Sequence, residues 1–210
     1  MADYEVKTKK GYDFFQVASA FQKSIRRCDE KYAMYWAAEL YESNYAKYAW
    51  KRMVIMASED CGLGEPSMIV QIMALKQAFD MLAEKQEKSH PQKLPFTQAV
   101  IALVRSRKSR YMDHAITVYW EMQKTEYLEI PDYAFDMHTR KGKSMGRGLK
   151  YFYEESVLIN NANKLQGEED MEEQALAVDG VDGISRHDVD CAEFQDFAPT
   201  RKVDSTPTLF

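Results

Sequence analysis

The sequence predicts an all-α fold, on three observations. Apolar residues recur at three- and four-residue steps through most of residues 12–126. No stretch shows the period of two that a half-buried strand requires. Glycine and proline fall mainly in the breaks between the periodic stretches, where they punctuate rather than interrupt. A chain of 210 residues has room for one domain of ordinary size and an extension.

The first helix is expected from about 12 to 27, where "DFFQVASAFQKSIRR" puts Phe14, Val17, Ala18, Phe21 and Ile25 on one face. Asp29 suits the N-cap of the next, "EKYAMYWAAELYES", with Ala33, Trp36, Ala37 and Leu40 inward. A third, "YAKYAWKRMVIMASED", turns Trp50, Met53, Val54 and Ala57 to the core. Gly62 and Gly64 can adopt the left-handed conformation that closes a helix, and Pro66 suits the first turn of another, "SMIVQIMALKQAFDMLAEKQ". "SHPQKLP" reads as a loop, followed by the helices "FTQAVIALVRS" and "RYMDHAITVYWEMQKTE". A last short helix is expected in "GLKYFYEESVLI". Beyond about residue 160 there is too little apolar surface to offset the entropy of ordering, so 160–210 is expected to be mostly disordered.

Charge divides the chain in the same way. Residues 1–150 hold 24 Lys/Arg and 19 Asp/Glu, whereas 151–198 hold 2 and 13. A mildly basic body therefore carries an acidic tail, which can fold back over the body and compete with nucleic acid at modest salt. Cys28, Cys61 and Cys191 are widely spaced and form no CxxC pair, which argues against a disulfide framework or a zinc site and for a reducing compartment. With no signal-peptide or membrane-spanning stretch, a cytoplasmic protein without membrane contact is expected.

The motifs that suggest catalysis are incomplete. Gly142-Lys143-Ser144 ends a phosphate-binding loop, but the glycine required at 137 is Met137 and no strand precedes it. The four histidines share no helix at ligand spacing, and "HDVDC" at 187–191 offers at most a weak metal site. No metal and no cofactor are expected. Asp113-His114 reads as a helix-surface pair rather than an acid–base dyad. Basic residues cluster at Lys23, Arg26 and Arg27; at Lys51 and Arg52; at Arg105, Arg107, Lys108 and Arg110; and from Arg140 to Lys150. Such clusters are either solvated faces or phosphate contacts. The aromatics crowding 32–50 (Tyr32, Tyr35, Trp36, Tyr41, Tyr45, Tyr48 and Trp50) can stack on unpaired bases or serve core and subunit contacts; Trp36 and Trp50 read as core, and Tyr41, Tyr45 and Tyr48 as candidates for an interface. "MASEDCGLGEP", residues 56–66, sets two carboxylates at a helix-to-helix corner, where Glu59 and Asp60 are expected to bond backbone amides or Arg52 and to fix the corner.

"YDFFQVASAFQKSIRRCDEKYAMYWAAELYE", followed by "AWKRMVIMASEDCGLGEPSMI", resembles the C-terminal region of the RarA/MgsA AAA+ ATPases, whose eukaryotic relative is the Werner-helicase-interacting protein. Tyr12, Asp13, Ser19, Ala20, Lys23, Ser24, Arg26, Asp29, Tyr35, Trp36 and Ala37 carry the first part of the pattern. Arg52, Ala57, Ser58, Glu59, Asp60, Gly62, Leu63 and Pro66 carry the second. Gln98, Ala99, Lys108, Ser109 and Tyr111 continue it, while Arg27-Cys28 and the basic stretch Arg105–Arg107 depart from it.

The resemblance implies a compact multi-helix domain over 11–155, like the clamp-loader-like oligomerisation domain that follows the AAA+ module, with 160–210 as the acidic tail. It implies tetramers or larger rings, and action at stalled replication forks beside single-stranded-DNA-binding protein and DNA ends. No ATPase module is expected in this chain, and a free-standing diverged copy resembles a phage or mobile-element protein acting in its host's cytoplasm. The structural motif is Glu59, Asp60, Gly62 and Pro66.

"RKVDSTPTLF" closes the sequence, with Leu209 and Phe210 in a form that loosely fits both sliding-clamp ligands and the acidic, Phe-terminated tails of single-stranded-DNA-binding proteins. The expected function is a non-enzymatic, oligomerising accessory of DNA replication or recombination. It would bind single-stranded or forked DNA through Lys23, Arg26, Arg52, Arg105, Arg107, Lys108 and Arg110. The alternative is an interaction module that co-assembles with, or inhibits, a host RarA-type ATPase or clamp loader. A metal-dependent nuclease ranks third.

Overall fold

Helices account for the architecture of the computed structural model, which describes residues 6–84, 89–159 and 163–185. Among the described residues there is no strand, only an isolated antiparallel bridge between Lys7 and Asp13. None of the described helices is long and apolar enough to cross a membrane. The chain divides into two units, Met1–Tyr127 and Leu128–Phe210, where the sequence placed its boundary near 155–160.

The first unit holds α1 (Phe14–Arg26), α2 (Glu30–Glu42), α3 (Ala46–Met56), α4 (Met68–Ala83), α5 (Lys93–Arg105) and α6 (Tyr111–Thr125). Asp13 caps α1 by accepting from Gln16 N at 2.8 Å, and Asp29 caps α2 by accepting from Tyr32 N at 3.1 Å. The small inner residues Ala33 and Ala37 let α2 lie close against Phe21 and Ile25 of α1, all four being fully buried. Each large side chain buried in this way contributes roughly 1.5–3 kcal/mol. An aromatic cluster joins α2, α3, α4 and α5: Trp50 lies 5.4 Å from Phe79 and 5.6 Å from Phe96, and Tyr41 lies 5.3 Å from Phe96.

Several details depart from the sequence reading. Trp36 is only half-buried, because it sits at the edge of the stripe that Ala33, Ala37 and Leu40 define. Tyr41, Tyr45 and Tyr48 are partly buried against the chain's own core, which leaves part of each ring exposed. Pro95 lies within the first turn of α5 rather than in the loop, at a position where a missing N–H removes no helical bond. The third helix stops at Met56; residues Ala57–Cys61 widen into a π turn, and Gly62–Gly64 tighten into a 3-10 turn.

In the second unit, α7 (Arg140–Ser144) and α8 (Leu149–Tyr151) are organised around Arg147. Its guanidinium donates to the carbonyls of Asp132 and Phe135 at 2.9 Å, pairs with the Asp132 carboxylate, and lies 4.1 Å over the Tyr151 ring. Gly142 belongs to this packing. A Cβ there would fall 1.9 Å from the Asp136 carbonyl oxygen, so close backbone approach explains the glycine of the incomplete phosphate-loop pattern. α9 (Glu168–Asp179) occupies a stretch expected to lack structure. Glu168, Glu169 and Asp170 in its first turn complement the helix dipole, and Gly180, at φ +65°, closes it. Residues 186–210, with "HDVDC", Leu209 and Phe210, lie outside the described residues.

Candidate functional site

The corner between α3 and α4 gathers five charged side chains from three stretches of sequence. Asp60 is buried, and its Oδ1 accepts from Arg26 Nε at 2.6 Å and from Arg110 Nη1 at 2.7 Å. Glu59 Oε1 accepts from the same two arginines, from Arg26 Nη2 at 2.7 Å and Arg110 Nη1 at 2.8 Å. Arg110 also pairs with Asp113. Bonding to Asp60, then Glu59, holds the Arg110 guanidinium above its already high ordinary pKa, so it stays charged at every relevant pH.

The backbone is built for this convergence. Gly62, at φ +46°, adopts a conformation that L side chains rarely take, and a Cβ on it would lie 2.8 Å from Met112 Cγ. Gly64 has no such dihedral requirement; a Cβ there would meet Ser109 Cβ at 3.1 Å and the Lys108 carbonyl carbon at 3.2 Å. Both glycines therefore let residues 108–112 close against the corner, where Ser109 N donates to the Asp60 carbonyl at 2.8 Å. Pro66 is exposed in the turn before α4. An open pocket of about 250 Å³ is lined here by Arg26, Asp60, Lys108, Ser109 and Arg110. Asp60 Oδ2 is buried without a hydrogen-bond partner among the described residues.

The residues read as DNA contacts are distributed as follows. Arg26 and Arg110 face Glu59 and Asp60. Arg52, expected as the carboxylates' partner, bonds Gln22 instead. Arg105 pairs with Glu30 at 2.7 Å, and this bond keeps the Glu30 carboxyl below its usual pKa. Lys108 turns back over the end of α5, donating to the carbonyls of Leu103, Val104 and Ser106. That is a C-cap, in which a cation satisfies orphan carbonyls. Lys23 and Arg107 are exposed; Lys23 donates to Ser19 Oγ at 2.8 Å. Among the described residues no group of three His, Cys, Asp or Glu stands close enough to hold a metal ion.

Two helices carry unburied apolar surface. α4 has no charged residue from Met68 to Leu75; Met68 and Ile72 point into the core, while Val70, Met73 and Met81 are more than half exposed on the opposite side. α6 meets the fold at the corner and buries no residue. Met112, Ala115, Ile116, Tyr119 and Met122 nonetheless recur at the spacing of a buried helix face. Trp120 beside them is 66% exposed.

Residues 28–176 match the family described as MgsA AAA+ ATPase C terminal. The chain belongs to this family. Its relatives include replication-associated recombination protein A of Bacillus subtilis, 28% identical over 149 residues that cover 69% of this chain and 34% of the relative. The same-named protein of Coxiella burnetii is 30% identical over 147 residues, 69% of this chain and 32% of its own. ATPase WRNIP1 of Dictyostelium discoideum is 30% identical over 152 residues, 69% of this chain and 16% of its own. The chain thus spans about a third or less of the curated relatives it matches.

Within this MgsA C-terminal chain, Glu59, Asp60 and Arg110 fall inside the matched stretch and Arg26 precedes it. The pairing itself was not legible in sequence, because Arg26 and Arg110 stand 34 and 50 positions from Asp60. A further basic group stands in the sequence at Lys7, Lys9 and Lys10, three lysines in four residues on the turn that precedes α1.

Proposed function

We propose that this chain is a self-associating module of DNA replication and recombination, which acts by binding DNA and fork proteins rather than through a reaction of its own. Its family and the printed names of its relatives support the setting. The observation that carries self-association is α4, apolar on two opposite sides while only one faces the protomer's core. An apolar stripe turned away from the core is surface that a partner can bury. α6 adds a second face. On that face Met112, Ile116 and Tyr119 are 40%, 54% and 42% exposed. A standard interface buries about 800 Å² per partner. The occupant of these faces is a second copy of the chain; a RarA-type ATPase carrying the same domain would use the same surfaces.

DNA contact is part of the proposal. Lys23 and Arg107 are exposed for it, whereas Arg26, Arg52, Arg105, Lys108 and Arg110 would exchange an internal partner for a phosphate. The test is sedimentation velocity on the full chain and on a Val70→Glu/Met73→Glu variant. The variant is expected to sediment as a monomer and to melt like the parent at concentrations where the parent is also dissociated, because neither side chain serves the core. A variant that associates as strongly as the parent removes α4 from the interface.

A further inference from the structure

The lysine turn before α1 and the outer side of α2 form a surface that none of the foregoing uses. The turn is held by the fold. Lys9 N donates to Ser43 Oγ at 2.8 Å, Lys10 N donates to Glu39 Oε1 at 3.0 Å, and Tyr45 OH donates to the Lys7 carbonyl at 3.4 Å. Thr8 is buried beneath it, and Glu39, only 4% exposed, is a buried carboxylate whose visible task is to anchor this turn. The ammonium groups of Lys9 and Lys10 are left outside, at 68% and 57% side-chain exposure.

Against the turn stands an exposed aromatic group. Tyr12 and Tyr35 both meet Trp36 edge to face, at 5.4 Å and 4.8 Å, and their hydroxyls share a hydrogen bond of 3.2 Å. Lys10 Nζ lies 4.7 Å over the Tyr35 ring and 3.3 Å from its hydroxyl. Tyr32, one turn along α2, is 54% exposed, and Lys31 lies on the same side of the helix as Tyr35. Each neighbouring carboxylate faces a cation: Glu39 lies 3.9 Å from Lys10 Nζ, Glu42 lies 4.0 Å from Lys9 and 2.7 Å from Lys93, and Glu30 faces Arg105.

We infer that this surface binds single-stranded nucleic acid, with Tyr32, Tyr35 and Tyr12 as platforms for unpaired bases and Lys9, Lys10 and Lys31 as phosphate contacts. Exposed rings interleaved with lysines are what a single strand recognises, since each base offers a π-face and each link a charge. A duplex has its base faces covered. Ring positions three residues apart on a helix lie about 5–6 Å from one another, wider than the roughly 3.4 Å rise of a duplex strand, which suits bases splayed onto separate rings. The inference rests on the replication setting proposed above and is independent of self-association.

The experiment is fluorescence anisotropy of a short labelled oligodeoxythymidine titrated with the full chain across a salt series. Tyr32→Ala, Tyr35→Leu and Lys9→Gln variants and a mixed-sequence duplex are run in parallel, with melting temperatures recorded. Each tyrosine variant is expected to bind about fivefold to a hundredfold more weakly. Lys9→Gln is expected to flatten the slope of log K against log salt by about 0.7. Both changes should appear with melting unchanged, and the duplex should bind less tightly than the single strand. Parental affinity in both tyrosine variants overturns the site, as does equal binding of the duplex or displacement of the oligonucleotide by an acidic peptide at similar concentration. No binding by the parent at low salt also overturns it, whereas loss of self-association in sedimentation would refute the other proposal and leave this one standing.

Discussion

Replacing Asp60 with alanine removes the one carboxylate that both corner arginines share. The side chain is 2% exposed and accepts from Arg26 at 2.6 Å and Arg110 at 2.7 Å. Breaking a buried ion pair from one side costs about 3–5 kcal/mol when the stranded charge is itself buried. Here the stranded arginines are 31% and 39% exposed, so water recovers part of the loss, and Glu59 remains to bond both. The expected cost is therefore about 2–3 kcal/mol. At about 3–4 °C per kcal/mol for a unit of this size, melting falls by roughly 6–12 °C. Asp60→Asn keeps an acceptor at Oδ1 and should lose about half as much. Arg105→Ala, which opens only the exposed pair with Glu30, should lose far less than either. Thermal unfolding followed by circular dichroism measures all three. An Asp60→Ala protein that melts within about 2 °C of the parent refutes the claim that this cluster holds the corner.

Gly62→Ala forces a side chain into a positive-φ conformation against Met112 and should cost about 1–3 kcal/mol, read as a lower denaturation midpoint. Gly142→Ala meets backbone rather than a flexible side chain, so faster amide exchange is expected through residues 132–147 while unit 1 keeps its protection. Glu30 has a folded pKa held down by Arg105; the folded state therefore takes up its proton later than the unfolded one on acidification. The stability it contributes is present above the ordinary carboxylate range and is lost as pH falls through the lowered folded value. Glu30→Gln should flatten the dependence of melting temperature on pH below about 4.5 and leave the profile above that unchanged.

Local pattern was enough for the helices and not for the corner. Phe14, Val17, Phe21 and Ile25 mark α1 by spacing alone, and Asp13 and Asp29 announce the helix starts that they cap. The end of α3 is different. Asp60 turns inward because two arginines far away in the chain meet it there, and no local signal reports a partner 34 or 50 residues distant. The basic clusters illustrate the same limit, since sequence displays a charge but not what it faces. Lys108 looks like part of a phosphate-binding run and spends its donors on the carbonyls that end α5. In 160–185, composition alone predicted disorder, while acidic residues at the start of α9 and Gly180 at its end supply terminal signals that composition ignores. The Lys7–Lys10 turn was visible as charge, but its aromatic neighbours on α2 are brought to it only by folding.

Sedimentation equilibrium of the full chain over a range of concentrations tests self-association most directly. Mass-action growth from 24.4 kDa towards a whole-number multiple at micromolar concentration is the predicted result. A mass of 24.4 kDa at every concentration would contradict it, leaving the apolar faces of α4 and α6 to be explained by some partner other than a second copy.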